Sequence, residues 1–297
     1  MSGGSPRPPW AELRAALAAA GFRPTRGRGQ NFLLDGNMLR AIARDSGVGA
    51  GDFVLEVGAG SGALSLELAR RGVHLLAIEI DRRLLAVAAR ALSSFPAVAL
   101  LAGDVLAGKH ALAPAVAARL PAQGPWHLVA NLPYSIAGPL LMVLARLPRP
   151  PQTMSVLVQR EVALRIAADP GESGWGGLAA KLAPRYRRRR GRRVPPQLFW
   201  PRPRVESEMV HLDRAPEGAE PRELVAYDRL VDGLFRHRRK VLRRSLGDLL
   251  GDGEAARTLL EEAGVDGGAR VEVLGPAELL RLAGSPRWAP PGDEEGR

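Results

Sequence analysis

Short apolar runs alternate with longer helical segments through the first half of the chain. Between residues 52 and 162, runs rich in β-branched and aliphatic side chains predict strands at 53–57, 74–80, 97–101, 127–131 and 154–159. The segments between these runs, such as 63–71 and 82–93, carry apolar residues at helical spacing. Strands that alternate with helices are typical of a parallel sheet covered on both faces, so we predict a doubly wound α/β fold of the Rossmann-like type.

The pattern changes after residue 221, where apolar residues recur at helical spacing. Before that point, residues 207–212 alternate polar and apolar side chains and predict one more strand of the sheet. After it, helices are predicted at 224–234, 238–250, 254–263 and 276–282. We therefore divide the chain into an N-terminal extension (1–28), an α/β domain (29–215), a small all-helical domain (216–284) and a flexible, polar and Pro-rich tail (285–297).

The composition narrows the range of possible functions. The chain has 297 residues with 46% hydrophobic side chains, which is enough for a substantial core, and a net charge of +11. Cysteine is absent, which excludes a disulfide framework, a thiolate metal site and a cysteine nucleophile. The histidines stand singly without a carboxylate at ligand spacing, so no metal is expected.

No segment is predicted to cross or anchor in a membrane. The longest stretch without charged residues, 120–145, contains several prolines and polar side chains, which makes it unsuitable as a membrane-spanning helix. The N-terminal residues do not combine a charged start with an apolar block, so we predict no secretory signal. A cytoplasmic location without a membrane partner is the expectation.

A glycine-rich turn lies between the first predicted strand and the first helix of the sheet domain. It reads Glu56-Val57-Gly58-Ala59-Gly60-Ser61-Gly62, and glycines at such a turn let the backbone approach a ligand closely. Glu79, 21 residues beyond Gly58, ends the second strand, where a carboxylate can accept hydrogen bonds from ribose hydroxyls. These two features are compatible with NAD, FAD or S-adenosylmethionine.

Two further motifs favour a methyltransferase over a dehydrogenase. Asp104, after the third strand, can accept the exocyclic amine of an adenine, which a dehydrogenase does not require. Asn131-Leu132-Pro133-Tyr134 follows the fourth strand. The Asn131 side-chain oxygen and a main-chain oxygen, of Pro133 or of the residue before it, can accept both hydrogens of a nucleobase amine. Tyr134 can stack on a flipped base, and catalysis then rests on positioning and dipoles.

Matching motifs extend along most of the chain, from about residue 21 to residue 250. They are Gly29 to Leu33, Val54 to Gly60, Ala77 to Asp81, Gly103-Asp104, Val129 to Tyr134, Val158 to Ala163, Phe199 to Ser207 and Phe235 to Leu246. In these motifs the chain resembles the ribosomal RNA adenine dimethyltransferase family, and in particular its small-subunit enzymes. The resemblance implies a class I S-adenosylmethionine-dependent methyltransferase fold with a mostly parallel seven-stranded sheet and a C-terminal helical RNA-binding domain.

The resemblance also implies roles for individual residues. The cofactor S-adenosyl-L-methionine would contact Gln30, Asn31, Leu33, Gly58, Gly60, Glu79, Asp104 and Asn131. The catalytic group would be Asn131, Leu132, Pro133 and Tyr134, with Phe199 closing over the other face of the base. The implied activity is dimethylation of two adjacent adenosines near the 3′ end of small-subunit rRNA. Ser135 stands where the family usually has Asn, which leaves the polarity of the pocket open.

The positive charge is concentrated in two clusters. Residues 185–193 hold seven arginines, and this cluster is interpreted as either an RNA contact or a solvated basic loop. The second cluster is predicted to open the second helix of the helical domain and to lie on one face of it, where phosphates would offset its self-repulsion. Its members are Arg236, Arg239, Lys240, Arg243 and Arg244.

Three other functions remain open as alternatives. A large-subunit rRNA methyltransferase that confers antibiotic resistance would share the chemistry, although the long helical domain argues against it. A nonenzymatic rRNA-binding assembly factor would share the fold, but the intact motif from Asn131 to Tyr134 speaks against lost catalysis. A dehydrogenase is the weakest alternative. The expected partner is the rRNA of the assembling small ribosomal subunit, bound by a monomer.

Overall fold

The computed structural model describes residues 21, 31–108, 110–133, 135–215 and 221–288, and for residues 221 and 222 it describes the backbone alone. The described residues fall into two compact units. The larger unit consists of residues up to Ala163 together with Arg189–Asp213, and the smaller consists of Leu164–Arg188 together with the chain from Arg214 onward.

The larger unit is built on a seven-stranded sheet. The strands of the chain are β1 (Phe32–Leu33), β2 (Phe53–Val57), β3 (His74–Glu79), β4 (Val98–Ala102), β5 (Trp126–Asn131), β6 (Thr153–Gln159), β7 (Tyr186–Val194), β8 (Phe199–Trp200) and β9 (Ser207–Arg214). The sheet has the order 4-3-2-5-6-9-7, while β1 and β8 form a separate antiparallel pair. Strands β2 to β6 run parallel and β9 runs antiparallel to β6, so the predicted mostly parallel sheet is confirmed.

Helices alternate with the strands of this sheet along the chain and make up most of the smaller unit. They are α1 (Gly36–Asp45), α2 (Ala63–Ala69), α3 (Arg82–Ala91), α4 (Pro114–Ala117), α5 (Ala137–Ala145), α6 (Arg160–Ala167), α7 (Gly177–Leu182), α8 (Pro221–Arg236), α9 (Leu242–Leu250), α10 (Gly253–Ala263) and α11 (Pro276–Gly284). Aspartates begin three of the described helices: Asp35 accepts the Met38 amide, Asp81 accepts the Arg83 amide, and Asp252 accepts the Glu254 and Ala255 amides. Among the described residues, no helix is both long and apolar enough to cross a membrane.

The order of the strands opens a crevice at one edge of the sheet. Strand β2 pairs with β3 on one side and with β5 on the other, so the connections run in opposite directions from β2. In open α/β sheets, ligands bind outside the carboxyl ends of the strands at such a point of reversal. The fold therefore brings the residues that follow β2, β3, β4 and β5 to one edge.

The arginine run at residues 185–193 is neither a loop nor a free basic surface. It forms the edge strand β7, and most of its charges are neutralised by neighbouring carboxylates. In the larger unit, Arg190 lies 2.8 Å from Glu208, and Arg192 lies 2.8 Å from Asp45. Because arginines with carboxylate partners also protect an exposed sheet edge from pairing with another chain, this cluster has a structural explanation.

The smaller unit includes a segment that the sequence pattern assigned to the α/β domain. Residues 164–188 belong to it because their side chains complete its core: Trp175 is buried there, and the Tyr227 hydroxyl donates to the Ala180 carbonyl at 2.8 Å. Arg185 and Asp228 form a buried ion pair at 2.9 Å. Since these contacts join positions more than forty residues apart, hydrophobic periodicity could not reveal them.

The polar tail was predicted to be too polar to pack, and this prediction is wrong for its first residues. Trp288 is only 7% exposed and belongs to the helical core. Its indole nitrogen donates to the Ala226 carbonyl at 3.2 Å. A single large aromatic ring is enough to hold this segment against the core, whatever the polarity of its neighbours. Residues 289–297, like the extension 1–28 apart from residue 21, lie outside the described residues.

Helix α9 begins at Leu242 instead of residue 238, which corrects the predicted arrangement of the second basic cluster. Residues 237–241 form a turn, and Val241 is extended and paired with Arg270 in an isolated bridge. The Leu242 and Arg243 amides then donate to the Ala269 and Gly267 carbonyls at 2.8 and 3.0 Å. The cluster therefore surrounds a helix–turn–helix corner instead of following one helical face.

Candidate active site

A cleft of about 360 Å³ opens at the carboxyl ends of β2, β3, β4 and β5. Most of the residues that the sequence singled out for the cofactor and for catalysis line it. These are Asn31, Leu33, Gly58, Gly60, Glu79, Asp104, Asn131, Leu132 and Pro133. Gln30 and Tyr134 lie outside the described residues, so the structure does not place them.

The glycine-rich turn forms the floor of the cleft. Gly58 and Gly60 have φ angles of +78° and +58°, which side-chain-bearing residues rarely adopt. A Cβ atom on Gly58 would lie 3.3 Å from Pro133 Cδ, and one on Gly60 would lie 3.1 Å from the Phe32 ring. Both positions therefore need glycine for the space above the turn as well as for its backbone conformation.

Glu79 connects the glycine turn to the end of β3. Its Oε2 accepts the Gly60 amide at 2.8 Å and its Oε1 accepts the Asp81 amide at 2.9 Å. Burial raises the pKa of the Glu79 carboxyl, and the bonds from these two amides oppose that rise because they favour the charged form. The carboxylate is thus fixed on both oxygens, and each oxygen retains a lone pair for a ligand hydroxyl.

Glu56 is a cleft residue that the sequence reasoning missed as a site residue. It is buried within β2, and its Oε2 accepts the Ser65 hydroxyl at 2.5 Å. Burial raises the pKa of the Glu56 carboxyl to about 8. One feature of the sequence could have identified Glu56, because it is the single carboxylate in the otherwise apolar strand Phe53–Val57. A buried acidic side chain in such a strand often belongs to a functional site.

The raised pKa of Glu56 predicts a pH dependence of stability in the cofactor-free protein. The folded state holds this proton more tightly than the unfolded chain, whose carboxyl has the usual pKa of 4.5. The free energy of unfolding should therefore fall as the pH rises from 4.5 through about 8. Urea denaturation of the wild type and of Glu56→Gln, below and above this pH window, measures the effect. The free energy of unfolding of the variant should increase relative to that of the wild type as the pH rises. A difference between them that does not change with pH would contradict the assignment.

An apolar surface beside a carboxylate occupies the side of the cleft next to β3 and β4. Ile80 is 55% exposed, unusual for a large aliphatic residue, and lies in the cleft with Leu84 and Val105. Asp104 is exposed, and its Oδ1 accepts the Leu106 amide at 3.0 Å, leaving Oδ2 available. A flat ring with an exocyclic amine, such as adenine, matches this combination.

Two cleft-lining residues at the end of β5 have oxygens with free acceptor capacity. The Asn131 side-chain nitrogen donates to the Asn31 carbonyl at 3.2 Å, which leaves Asn131 Oδ1 to accept. The Leu132 amide donates to Leu157, and the Pro133 carbonyl accepts the Ile136 amide at 3.1 Å. Within the described part of the chain, the Leu132 carbonyl accepts no hydrogen bond. Of the two main-chain acceptors left open by the sequence, the Leu132 carbonyl is the one with free capacity.

Phe199 is not brought to the cleft. Its side chain is 4% exposed in the core of the larger unit, and its partner across the β1–β8 pair is Leu33. The burial follows from that pairing, because β8 turns Phe199 inward and Trp200 outward against Phe32, with ring centroids 6.2 Å apart. Phe199 is thus absent from the described cleft lining, and its stacking on a base stays a prediction.

The charge of the cleft favours one of the cofactors that are compatible with the glycine turn, which were NAD, FAD and S-adenosylmethionine. Its lining includes the carboxylates of Glu79 and Asp104, together with Glu56, whose raised pKa keeps it mostly protonated at neutral pH, and none of the described lining residues is basic. S-adenosylmethionine carries a sulfonium and an ammonium group, which suit such a site, whereas the pyrophosphate of a dinucleotide would meet like charge. The glycine floor, the Glu79 carboxylate and the Ile80 surface therefore fit S-adenosylmethionine. The described residues contain no group of side chains that could hold a metal ion.

The second basic cluster lies in the smaller unit and is exposed. Lys240 is 2.8 Å from Asp248 and lowers the pKa of that carboxyl. The other four members, Arg236, Arg239, Arg243 and Arg244, form no ion pair within the described ranges. Arg243 and Arg244 also lie in the first turn of α9, where the helix dipole disfavours cations. An anionic ligand would relieve the repulsion among these arginines and also the repulsion between Arg243, Arg244 and the helix dipole.

Comparison with known proteins gives a family match over most of the chain. The family described as ribosomal RNA adenine dimethylase matches residues 22–285. The ribosomal RNA small subunit methyltransferase A of Leifsonia xyli subsp. xyli is 42% identical over 278 residues, covering 92% of this chain and 96% of the relative. The protein of the same name from Deinococcus radiodurans is 40% identical over 275 residues, covering 92% and 89%.

Solved structures show the same architecture. The chain is similar to the 23S rRNA methyltransferase ErmE, with a TM-score of 0.66 and 28% identity over 85% of this chain and 98% of that one. It is also similar to a dimethyladenosine transferase from Plasmodium falciparum, with a TM-score of 0.68 and 20% identity over 84% and 95%. The second likeness concerns the fold alone.

Proposed function

The chain belongs to the ribosomal RNA adenine dimethylase family, and on that premise we propose that it dimethylates two adjacent adenosines near the 3′ end of small-subunit rRNA during ribosome assembly. The observation that carries this proposal is the presence of two free oxygens, Asn131 Oδ1 and the Leu132 carbonyl, in a cleft that fits S-adenosylmethionine. Action as a monomer is part of this proposal. The substrate implies a cytoplasmic location.

The two oxygens solve the main chemical difficulty of the reaction. An adenine amine is a poor nucleophile because its lone pair is delocalised into the ring. When Asn131 Oδ1 and the Leu132 carbonyl accept its two hydrogens, they favour a geometry in which the lone pair points away from the ring plane. S-adenosylmethionine supplies the electrophilic methyl group. Since a proton leaves readily from the cationic product, positioning and fixed dipoles suffice and no strong base is needed.

The remaining predicted residues receive roles in binding. Glu79 accepts the ribose hydroxyls, Asp104 accepts the adenine amine of the cofactor, and Gly58 and Gly60 open space for its amino-acid portion. Asn31 and Leu33 close the cleft at its β1 side. For Gln30 and Tyr134, which lie outside the described residues, the proposed roles are a contact with the cofactor and stacking on the target base. Support for these roles comes from the cleft position of the described members and from the chemistry of their side chains.

The small subunit is favoured over the large subunit as the substrate. The relatives named as small-subunit enzymes are 38–42% identical to this chain, whereas the 23S rRNA methyltransferase ErmE is 28% identical. The intact oxygens of Asn131 and Leu132 likewise favour an enzyme over a nonenzymatic assembly factor.

Methyl transfer to ribosomal subunits tests the proposal directly. Small and large subunits from cells that lack this protein are incubated with the chain and tritiated S-adenosylmethionine, and the rRNA is digested to nucleosides. We expect label in dimethyladenosine from the small subunit. Label in the large subunit would support the antibiotic-resistance alternative, and binding without any label would support the assembly factor.

The exposed basic cluster should contribute to RNA affinity through phosphate contacts. The triple substitution Arg239→Gln, Arg243→Gln and Arg244→Gln should weaken binding to small subunits roughly tenfold or more and make its salt dependence shallower, by about 0.7–0.9 per lost contact. Filter binding at several salt concentrations measures both effects. Arg257→Gln is the control, because Arg257 is exposed in the same unit but paired with Glu254 and Glu261. An unchanged salt slope in the triple variant would reject the phosphate assignment.

A further inference from the structure

A short loop, residues 201–206, crosses the catalytic edge of the sheet and carries two arginines that none of the roles above uses. The loop reads Pro-Arg-Pro-Arg-Val-Glu and joins β8 to β9. Arg202 and Arg204 are exposed, and within the described part of the chain neither forms an ion pair. Two exposed, unneutralised guanidinium groups only two residues apart repel each other, so their presence calls for an explanation.

The start of the loop is fixed beside the cofactor cleft. Strand β8 pairs with β1, with Trp200 opposite Phe32, and the Leu34 amide donates to the Leu198 carbonyl at 2.9 Å. Phe32 lines the cleft, and Asn31, the residue before it, holds the Asn131 side chain. The first residue of the loop is therefore directly connected to the element that orients the catalytic asparagine.

The end of the loop is fixed beside the strand that neighbours Asn131. Ser207, the first residue of β9, is paired with Gln159 at the end of β6, and the Arg160 amide donates to the Glu206 carbonyl at 2.9 Å. In the same sheet, Asn131 is paired with Leu157 of β6. The loop thus runs along the carboxyl edge of the sheet between the two elements that flank Asn131.

The local charge along this loop is positive. Arg160 lies at the same edge, and its side chain is 42% exposed and 3.7 Å from the Glu206 carboxylate, which it neutralises. Glu208 is buried and paired with Arg190. Since both nearby carboxylates have arginine partners, Arg202 and Arg204 add charge that is not offset by their neighbours.

The loop is also stiff. Pro201 and Pro203 alternate with the two arginines and are half-buried, while the arginines point to solvent. Because proline fixes its φ angle, such a segment loses little conformational freedom on binding, which favours a prearranged contact over an adaptable one. Val205, between Arg204 and Glu206, is 46% exposed and adds an apolar contact surface.

We propose that Arg202 and Arg204 bind the phosphates that flank the target adenosine and thereby position the substrate strand over Asn131 and Leu132. This inference rests on the proposed function, since it concerns the same substrate. It assigns to the catalytic unit its own RNA contact, distinct from the basic cluster of the helical unit. The arginines would act as positioning residues: they hold the backbone of the strand, and the two oxygens hold the amine.

The test compares two double variants that remove the same charge. Arg202→Gln/Arg204→Gln removes the loop contact, and Arg90→Gln/Arg119→Gln is the matched control. Arg90 and Arg119 are exposed and form no ion pair within the described ranges, and they precede β4 and β5 at the opposite, amino-terminal edge of the sheet. For each protein, binding to small subunits at several salt concentrations, single-turnover methyl transfer and S-adenosylmethionine affinity are measured.

We expect the loop variant to bind small subunits about five- to twentyfold more weakly, with a shallower salt dependence, and to retain its S-adenosylmethionine affinity. The control should stay within twofold of the wild type. Unchanged RNA binding in the loop variant, or an equal loss in both variants, would overturn the inference. The wild type in the same assay reports on the proposed function itself: absence of methyl transfer by the wild type would refute that proposal, independently of the comparison between variants.

Discussion

Asn131→Ala should reduce the rate of methyl transfer at saturating substrate by about 10²–10³-fold or more, which is the scale for loss of one preorganised polar group aimed at the reacting atoms. The Asn131 side chain is fixed by its bond to the Asn31 carbonyl at 3.2 Å, so its oxygen is already oriented before the substrate binds. Alanine removes that oxygen and leaves the adenine amine with one acceptor, the Leu132 carbonyl. Single-turnover transfer of labelled methyl groups to small subunits measures the loss.

The affinity for S-adenosylmethionine separates this role from a merely structural one. A lost hydrogen bond to a neutral group changes binding by about 1 kcal/mol, so the cofactor dissociation constant of Asn131→Ala should stay within roughly tenfold of the wild type. Calorimetric titration with the cofactor provides this value. An equal loss of affinity and of rate would instead mean that Asn131 shapes the cofactor site and does not orient the target amine.

Gly60→Val should weaken S-adenosylmethionine binding by more than about 100-fold, corresponding to nearly 3 kcal/mol. Two costs add. The φ angle of +58° disfavours a β-branched residue by at least about 1–2 kcal/mol. The new side chain would also begin 3.1 Å from the Phe32 ring, which forms part of the cleft wall. Movement of this turn would in addition disturb the bond from the Gly60 amide to Glu79.

Gly124→Val separates the effect of the close approach to Phe32 from that of backbone strain. Gly124 has a φ angle of +78°, and a Cβ atom there would meet no atom within 4 Å. It lies before β5, away from the carboxyl edge of the sheet. This control should lower the melting temperature, as Gly60→Val does, but leave cofactor affinity unchanged. If both substitutions reduced the affinity equally, the close approach at Gly60 would not be the cause.

The cofactor side of the site could be predicted because it depends on local sequence and on one rule of α/β folds. Gly58, Glu79, Asp104 and Asn131 each lie at or just beyond the end of a predicted strand, and parallel strands end at the same edge. Their convergence in one cleft therefore followed from the strand pattern without any knowledge of distances. Glu56 escaped this reasoning because its side chain points into the cleft from within the strand.

The role of Phe199 could not be decided from its motif. Whether its ring faces a base or the core depends on the pairing of β8 with β1, which joins residues far apart in the chain. The side chains of a strand alternate between its two faces, so this register alone turns Phe199 into the core and leaves Trp200 beside Phe32. Such a register is set by tertiary contacts and has no local signature.

The arginines show most clearly what the sequence determined and what only the tertiary structure decided. The sequence predicted the alternating strands and helices of the catalytic half, the glycine turn and the acceptors at the strand ends, because periodicity and turn chemistry are local properties. It also revealed two basic clusters, but charge in a sequence does not show where its counter-charges are. Only the folded chain brings Asp45, Glu208 and Asp228 against the arginines of 185–193, whereas Arg239, Arg243 and Arg244 form no ion pair in the described structure. Ion pairs form across space, between residues distant in the chain, and so the fold decides which positive charges remain available for RNA.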